Sequence, residues 1–159
     1  MTKNAIASKY VLDDFDRALL RLVQRDNQQT YLALGQQVGL SESAVRRRLK
    51  ALRKSKIIIQ DVSLLKPDKY SITLIVQVSF LKDTKKIYAD FDQQMDALIN
   101  VRQSYHVSGS TDYILVVQGP NLEWYEEWAK DNLMTNQNIS RHETAVVWSC
   151  KKYETEVLV

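Results

Sequence analysis

The chain has 159 residues and a net charge of +3, and this length is enough for one or two small domains with cores of their own. Its single cysteine excludes an intramolecular disulfide, and the cysteine and the two histidines show no metal-ligand spacing, so we expect no metal or other cofactor. No run of about 18 apolar residues indicates a membrane span. The opening sequence MTKNAIASKY has no signal-peptide pattern, and we therefore expect a cytoplasmic protein.

Positive charge is concentrated in one short segment. Residues 1–60 contain 12 Lys and Arg against 5 Asp and Glu, whereas residues 61–159 contain 10 against 14. Within the first part, residues 41–56 hold seven basic side chains and one acidic side chain. Such a segment favours a module that binds a polyanion, with a solvated helix face as the alternative.

The first third of the chain predicts three short helices. Apolar residues recur every three or four positions over residues 12–22, which indicates a helix that begins near Asp13. Thr30 is placed to cap a second helix, and Gly39 to end it. Ser41 is placed to cap a third helix that reaches Ser55.

The junction of the second and third helices has the pattern of a helix-turn-helix. Gly35 allows a close approach of the two helices, and Gly39 makes the sharp turn between them. The third helix places an apolar stripe on one side and a cationic face on the other, as a recognition helix in the major groove requires. Arg48 falls near the boundary with the core, where it serves packing or a phosphate rather than a base. The residues predicted to contact DNA are Ser41, Ser43, Arg46, Arg47, Arg48, Lys50 and Lys54. The alternative is a three-helix module for protein interactions.

The rest of the chain predicts strands and helices in alternation. Residues 57–64 are typical of β structure, either a wing or a linking strand, and Lys66-Pro67-Asp68 predicts a turn. Beyond it come a strand, a helix, two strands, a helix and a last strand over Thr144–Cys150, with Cys150 buried. This order predicts a ferredoxin-like domain, and the fold as a whole is expected to be α+β, with an N-terminal winged helix-turn-helix. The expected boundaries are 1–60 for the DNA-binding domain, 61–70 for the linker and 71–159 for the ferredoxin-like domain.

One face of such a sheet has no helices to cover it. The strand over Tyr113–Val117 is apolar at every position, which indicates that both of its sides are covered. A second copy of the same sheet, related by a two-fold axis, is the simplest cover. We therefore expect at least a homodimer.

Taken in order, these motifs resemble the Lrp/AsnC family of prokaryotic transcription regulators. The likeness spans about residues 11–153. Three departures bear on local geometry: Gly35 replaces the family's usual alanine, Ser55-Lys56 stands where the family usually has a glycine, and Ser71 stands where a glycine is common after the Pro67 turn. The motifs that carry the likeness are Leu12-Asp13-x-x-Asp16, Leu34, Val38-Gly39-Leu40-Ser41, Val45-x-x-Arg48-Leu49-x-x-Leu52, Ile57-Ile58 and Gly109-x-x-Asp112-Tyr113.

The resemblance implies a regulator that binds double-stranded DNA and responds to a small effector, with an amino acid as the expected ligand. It also implies a homodimer that assembles further, up to an octamer, with the effector bound between dimers. The implied effector-binding residues are Gly109, Ser110, Thr111, Asp112 and Tyr113. For Gly109 and Asp112 a simple turn, with its own side-chain hydrogen bond, is an equally good interpretation.

Two other functional classes remain open at this stage. Ferredoxin-like dimers also host small enzymes, but no catalytic cluster or nucleophile motif occurs in this sequence, so we expect no enzyme and no catalytic residue. A module that binds amino acids or RNA without a promoter target is the other alternative.

Overall fold

The computed structural model of the chain describes residues 10–65 and 71–159. The described residues divide into two compact units. The first unit comprises residues 10–64 together with 153–159, and the second comprises residue 65 and residues 71–152. The predicted turn at Lys66-Pro67-Asp68, and with it half of the predicted linker, lies outside the described residues. The last seven residues, expected in the ferredoxin-like domain, thus belong to the first unit.

The first unit contains the three predicted helices: α1 (Asp14–Arg25), α2 (Tyr31–Val38) and α3 (Glu42–Lys54). Each begins after a residue whose side-chain oxygen accepts a backbone N–H three positions further on, so that one of the otherwise unpaired donors of the first turn is satisfied. These caps are Asp13, Thr30 and Ser41.

Two glycines shape the turn between α2 and α3. Gly39 has a φ of 73°, in the left-handed region that favours glycine. A Cβ on Gly35 would lie only 2.4 Å from the carbonyl oxygen of Leu40, so the close approach of the two helices depends on the missing side chain. The packed unit encloses a core of Leu19, Leu20, Leu34, Val45, Leu49 and Leu52. The predicted helix-turn-helix is confirmed.

The second unit is a four-stranded antiparallel sheet with helices against one face. Its strand order is β2-β3-β1-β4, which is the ferredoxin-like arrangement. The elements in chain order are β1 (Ile72–Phe80), α4 (Lys85–Ala97), β2 (Val101–His106), β3 (Tyr113–Gly119), α5 (Leu122–Ala129), a π-helical turn (Lys130–Met134) and β4 (Ile139–Val146). None of the described helices is long and apolar enough to cross a bilayer.

The two faces of the sheet differ in burial. Alternate residues of β1 and β3, such as Val76 and Leu115, are fully buried beneath the helices. Their neighbours Ile75, Ile114 and Val116 point to the other face and are half-buried in the single chain. Strand β3 is therefore buried on one side only within one copy of the chain.

The strand predicted over residues 57–64, as a wing or a linker, is absent. Instead, the N–H groups of Lys56 and Ile57 bond back to the carbonyls of Arg53 and Leu52 and close the end of α3. Ile57 and Ile58 then pack against the helix-turn-helix core. β-Branched residues favour a strand only where a partner strand exists, and the described part of this unit provides none.

The last strand also differs from its prediction. β4 covers Ile139–Val146 rather than Thr144–Cys150, and its pairing with β1 ends at Val146, which lies opposite Leu74. Trp148 is 95% exposed, and Cys150 is exposed rather than buried.

Candidate nucleic-acid interface

The outer face of α3 forms a shallow, open depression of about 660 Å³. All of the side chains that line it are exposed, whereas Val45, Leu49 and Leu52 on the opposite side of the helix are buried. The residues around the depression are Ser41, Glu42, Ser43, Arg46, Arg47 and Lys50. Five of the seven residues predicted to contact DNA are thus brought together, and Lys54 lies exposed on the last turn of the same helix.

The cations of this face differ in how firmly they are held. Arg46 pairs with Glu42 one turn earlier, at 2.9 Å between Nη2 and Oε1, and its guanidinium carbon lies 5.5 Å from the centre of the Tyr31 ring. Arg47 and Lys50 make no hydrogen bond or ion pair with any residue that the structure describes. Glu42 and Tyr31 were not among the predicted residues, although the spacing of four between Glu42 and Arg46 is a known signal for a helical ion pair.

Arg48 does not line the depression. Its Nη1 lies 2.7 Å from Oδ2 of Asp13 and 2.9 Å from Oδ1 of Asp16. The Asp16 side chain is only 2% exposed, and its second oxygen accepts a hydrogen bond from the hydroxyl of Tyr10. The backbone N–H of Asp16, and then the guanidinium of Arg48, lower the pKa of Asp13. Arg48 therefore fastens α3 to the start of α1.

Four of the predicted effector-binding residues lie in the loop between β2 and β3, and the fifth, Tyr113, is the first residue of β3. Gly109 has a φ of 132° and is exposed, as is Ser110. The hydroxyl of Thr111 donates to the carbonyl of Val78 at 2.8 Å, and the hydroxyl of Ser79 donates to the carbonyl of Ser110 at 3.4 Å. These contacts tie the loop to the end of β1.

Asp112 and Tyr113 are already engaged within the chain. The Asp112 carboxylate accepts the backbone N–H of Phe80 at 2.8 Å and the hydroxyl of Tyr88 at 3.0 Å. Desolvation and then this carboxylate raise the pKa of Tyr88 to about 12. Tyr113 is buried, and its hydroxyl donates to Asp92 at 2.8 Å. Of the five predicted effector-binding residues, only Gly109 and Ser110 are thus exposed and have no side-chain hydrogen bond to the rest of the described chain.

Two residues near this loop were not predicted. Ser79 contacts the loop through its hydroxyl, and its carbonyl accepts a hydrogen bond from Ser140, at the start of β4. Tyr88 reaches the loop from α4. No sequence signal marks either residue, because the contacts join positions that are about 20 to 60 residues apart. Among the described residues no group of three or more acidic, histidine or cysteine side chains could hold a metal ion.

A helix-turn-helix with an exposed cationic third helix, joined to a ferredoxin-like domain, defines a two-domain transcription regulator that binds DNA. A family model for the AsnC-type helix-turn-helix domain matches residues 12–53, and one for the Lrp/AsnC ligand-binding domain matches residues 73–157. The chain belongs to the Lrp/AsnC family of transcriptional regulators.

Several relatives are similar over most of the chain. An uncharacterized HTH-type transcriptional regulator of Sinorhizobium fredii is 37% identical over 138 residues, which is 86% of this chain and 82% of that protein. The transcriptional regulator AzlB of Bacillus subtilis is 30% identical over 92% of this chain and 95% of its own. The crystal structure of a Neisseria meningitidis transcriptional regulator in complex with L-Met has a TM-score of 0.82 and 25% identity, covering 92% of this chain and 96% of that one.

Proposed function

We propose that α3 of this regulator reads its operator through the cationic face described above, with Arg46 and Arg47 directed at base edges. Arginine pairs in bidentate fashion with O6 and N7 of guanine, and Ser43 can contact either a base or a phosphate. Ser41, Lys50 and Lys54 neutralise or bond phosphates. Arg48 serves the site indirectly, because it holds the helix in place. No residue of the chain is proposed to be catalytic.

The observation that supports this assignment is the contrast between Arg47 and Arg48. Both are arginines on one helix, yet Arg48 is held by two carboxylates, whereas Arg47 is exposed and has no partner among the described residues. A surface cation without a partner in its own domain is available to a ligand, and the wide major groove admits a helix.

Alanine substitution at Arg47 tests the base-reading role. With an operator selected in vitro by the full-length chain, Arg47→Ala is expected to lower affinity for that operator by about tenfold or more, because a good bidentate base contact contributes about 1–3 kcal/mol. Affinity for a random duplex should fall much less. Gel shifts at one fixed salt concentration measure both affinities. Arg17→Ala, which removes an exposed arginine from α1, is the matched control for charge. Equal losses on both duplexes would make Arg47 a phosphate contact only.

The effector is proposed to be an amino acid bound at the exposed part of the loop 109–113. Support comes from the Neisseria regulator solved with L-Met and from a 31% identical relative in Zymomonas mobilis named glutamate uptake regulatory protein. Backbone N–H groups around Gly109 and Ser110 are suited to a carboxylate. Asp112 accepts one hydrogen bond on each oxygen, so lone pairs remain for an ammonium group.

A thermal-shift screen with the twenty amino acids tests the effector. At a concentration of 100 times its Kd, a ligand that binds only the folded state adds about 2.7 kcal/mol of stability. We expect at least one amino acid to raise the melting temperature of the wild-type chain. Ser110→Asp should remove this shift by repelling the carboxylate, whereas Ser108→Asp, with the same change at another exposed position of the loop, should keep it. If none of the twenty amino acids raises the melting temperature, the proposal of an amino-acid effector is wrong, whereas the proposal of DNA binding is unaffected.

The proposed assembly is a homodimer, formed through the open face of the sheet, that can associate further up to an octamer. Two copies of α3 then meet two half-sites of one operator, about one helical turn or a multiple of it apart. The half-buried apolar side chains Ile75, Ile114 and Val116 at the centre of the open face support this arrangement.

A further inference from the structure

The final segment of the sequence, residues 153–159, packs against the outer side of α1. The side-chain amide of Gln24 bonds twice to Val157: its Nε2 donates to the Val157 carbonyl at 3.1 Å, and its Oε1 accepts the Val157 N–H at 2.6 Å. One side chain thus satisfies both backbone polar groups of Val157, as a neighbouring strand would.

Further contacts lie on both sides of this pair. Arg25 forms an ion pair with Glu156 at 3.1 Å, and Arg21 donates to the carbonyl oxygen of Val159 at 3.1 Å. Val159 is half-buried and packs against the helix-turn-helix core. The three residues of α1 that hold the segment are spaced by three and one and therefore share one face of the helix.

The segment does not occupy the candidate DNA surface. It borders a separate groove of about 680 Å³ that is formed with α1 and residues 57–64. None of the residues that line this groove lines the depression on α3. DNA and residues 153–159 can thus be bound at the same time.

The docked segment gives the DNA-binding unit a second attachment. The chain passes into the second unit after residue 64 and returns to the first after residue 152. Six residues, 147–152, separate the end of β4 at Val146 from the returning segment. When residues 153–159 are docked, both chain connections limit the rotation of the helix-turn-helix. Without docking, only the connection after residue 64 limits it.

We propose that this face of α1 is an interaction surface for residues 153–159, and that the docked segment pre-orients the helix-turn-helix for simultaneous binding of two half-sites. The proposal rests on the proposed function. Binding of the second half-site depends on the effective concentration of the second recognition helix, which rises when its orientation is restricted. Each hydrogen bond of the segment, like its ion pair, is exposed and therefore individually weak. The forms with residues 153–159 docked and free are thus close enough in free energy to interconvert. Movement at the end of β4 can change the equilibrium between them.

The double variant Gln24→Ala/Glu156→Arg releases the segment. It removes both amide contacts and opposes Arg25 with a second cation, while alanine preserves the helix. Gln36→Ala/Glu123→Arg makes the same chemical and charge changes at exposed positions away from the segment. Hydrogen exchange of residues 154–159 is measured first, without DNA. We expect at least about fivefold faster exchange in the release variant only, as the loss of local contacts increases local opening.

Affinity is then measured for a selected two-half-site duplex and for the same duplex with one half randomised. Compared with the charge-matched control variant, the release variant should bind the full site at least about fivefold more weakly and the half-site equally well. Its added positive charge would strengthen both, so the predicted direction cannot be a charge effect. If hydrogen exchange of residues 154–159 is unchanged in the release variant, the proposed docking is wrong. If exchange is faster but affinity for the full site is unchanged, the proposed orienting role is wrong. A wild-type chain that binds neither duplex would refute the proposed function and the orienting role, whereas the docking would still be decided by exchange.

Discussion

At the scale of single residues, neighbouring arginines of α3 have opposite environments. Arg47 is exposed, whereas Arg48 is held between Asp13 and Asp16. A buried carboxylate such as Asp16 is stable only while its charge is paired. The start of α1 and the middle of the recognition helix are therefore coupled electrostatically.

Arg48→Met is expected to lower the free energy of unfolding by about 3 kcal/mol, because it removes the partner of a buried charge. Arg47→Met should change the same quantity by no more than about 0.5 kcal/mol, as is usual at an exposed position. Urea unfolding followed by circular dichroism measures both variants. Equally small changes in the free energy of unfolding of the two variants would show that the burial of the Asp16 carboxylate does not depend on Arg48.

Helical periodicity placed Arg48 correctly at the edge of the core, but it could not supply the partners. Periodicity reports the direction of a side chain around its own helix axis. The carboxylates that bind Arg48 are 32 and 35 positions away in the sequence, so only the packing of α1 against α3 identifies them.

At the scale of elements, α3 ends in an unusual conformation. Lys56, the residue after the cap Ser55, has a φ of 61° and is the one non-glycine residue with a positive φ in the described part of the chain. Its N–H bonds to the carbonyl of Arg53, and that of Ile57 to the carbonyl of Leu52. This is the Schellman geometry, in which glycine is the preferred residue at the position of Lys56.

Lys56→Gly is expected to stabilise the first unit by roughly 0.5–1 kcal/mol. The left-handed conformation costs a residue with a Cβ about 1–2 kcal/mol, and glycine removes this strain. Glycine also increases the entropy of the unfolded chain, which destabilises the folded state by the smaller amount of about 0.4–1 kcal/mol. Lys56→Ala, which loses the charge and keeps the Cβ, should show no such gain. Thermal unfolding compares the three chains, and a gain in the alanine variant would attribute the effect to charge.

Sequence patterns predicted the helices well and the ends of the β structure less well. A helix closes its hydrogen bonds within its own segment, and its caps are local, as at Thr30 and Ser41. A strand needs a partner from elsewhere in the chain. Residues 57–64 therefore have β-type composition without forming a strand, and β4 ends at Val146, the last residue that pairs with β1.

At the scale of the whole molecule, the open face of the sheet is the surface through which we propose that two copies of the chain pair. Ile114 lies at its centre, on β3, where a charge would be buried against the second copy of a dimer. Ile114→Glu is therefore expected to give a monomer, because an unpaired charge in an apolar interface is strongly unfavourable. Sedimentation velocity measures the change. Gln93→Glu, at an exposed position of α4, should leave the dimer intact, and a dimeric Ile114→Glu chain would exclude this face as the interface.

The sequence by itself determined the three helices with their caps, the order of the strands, the cationic outer face of α3 and the family, because each depends on short-range periodicity or on motifs of fixed spacing. The tertiary structure alone decided which cation is structural, how Asp112 is engaged and where residues 153–159 lie. Gln24 and Val157 are 133 positions apart, and Asp112 and Phe80 are 32 apart. A contact between distant positions follows from how helices and strands pack, and no local pattern of residue types encodes that packing.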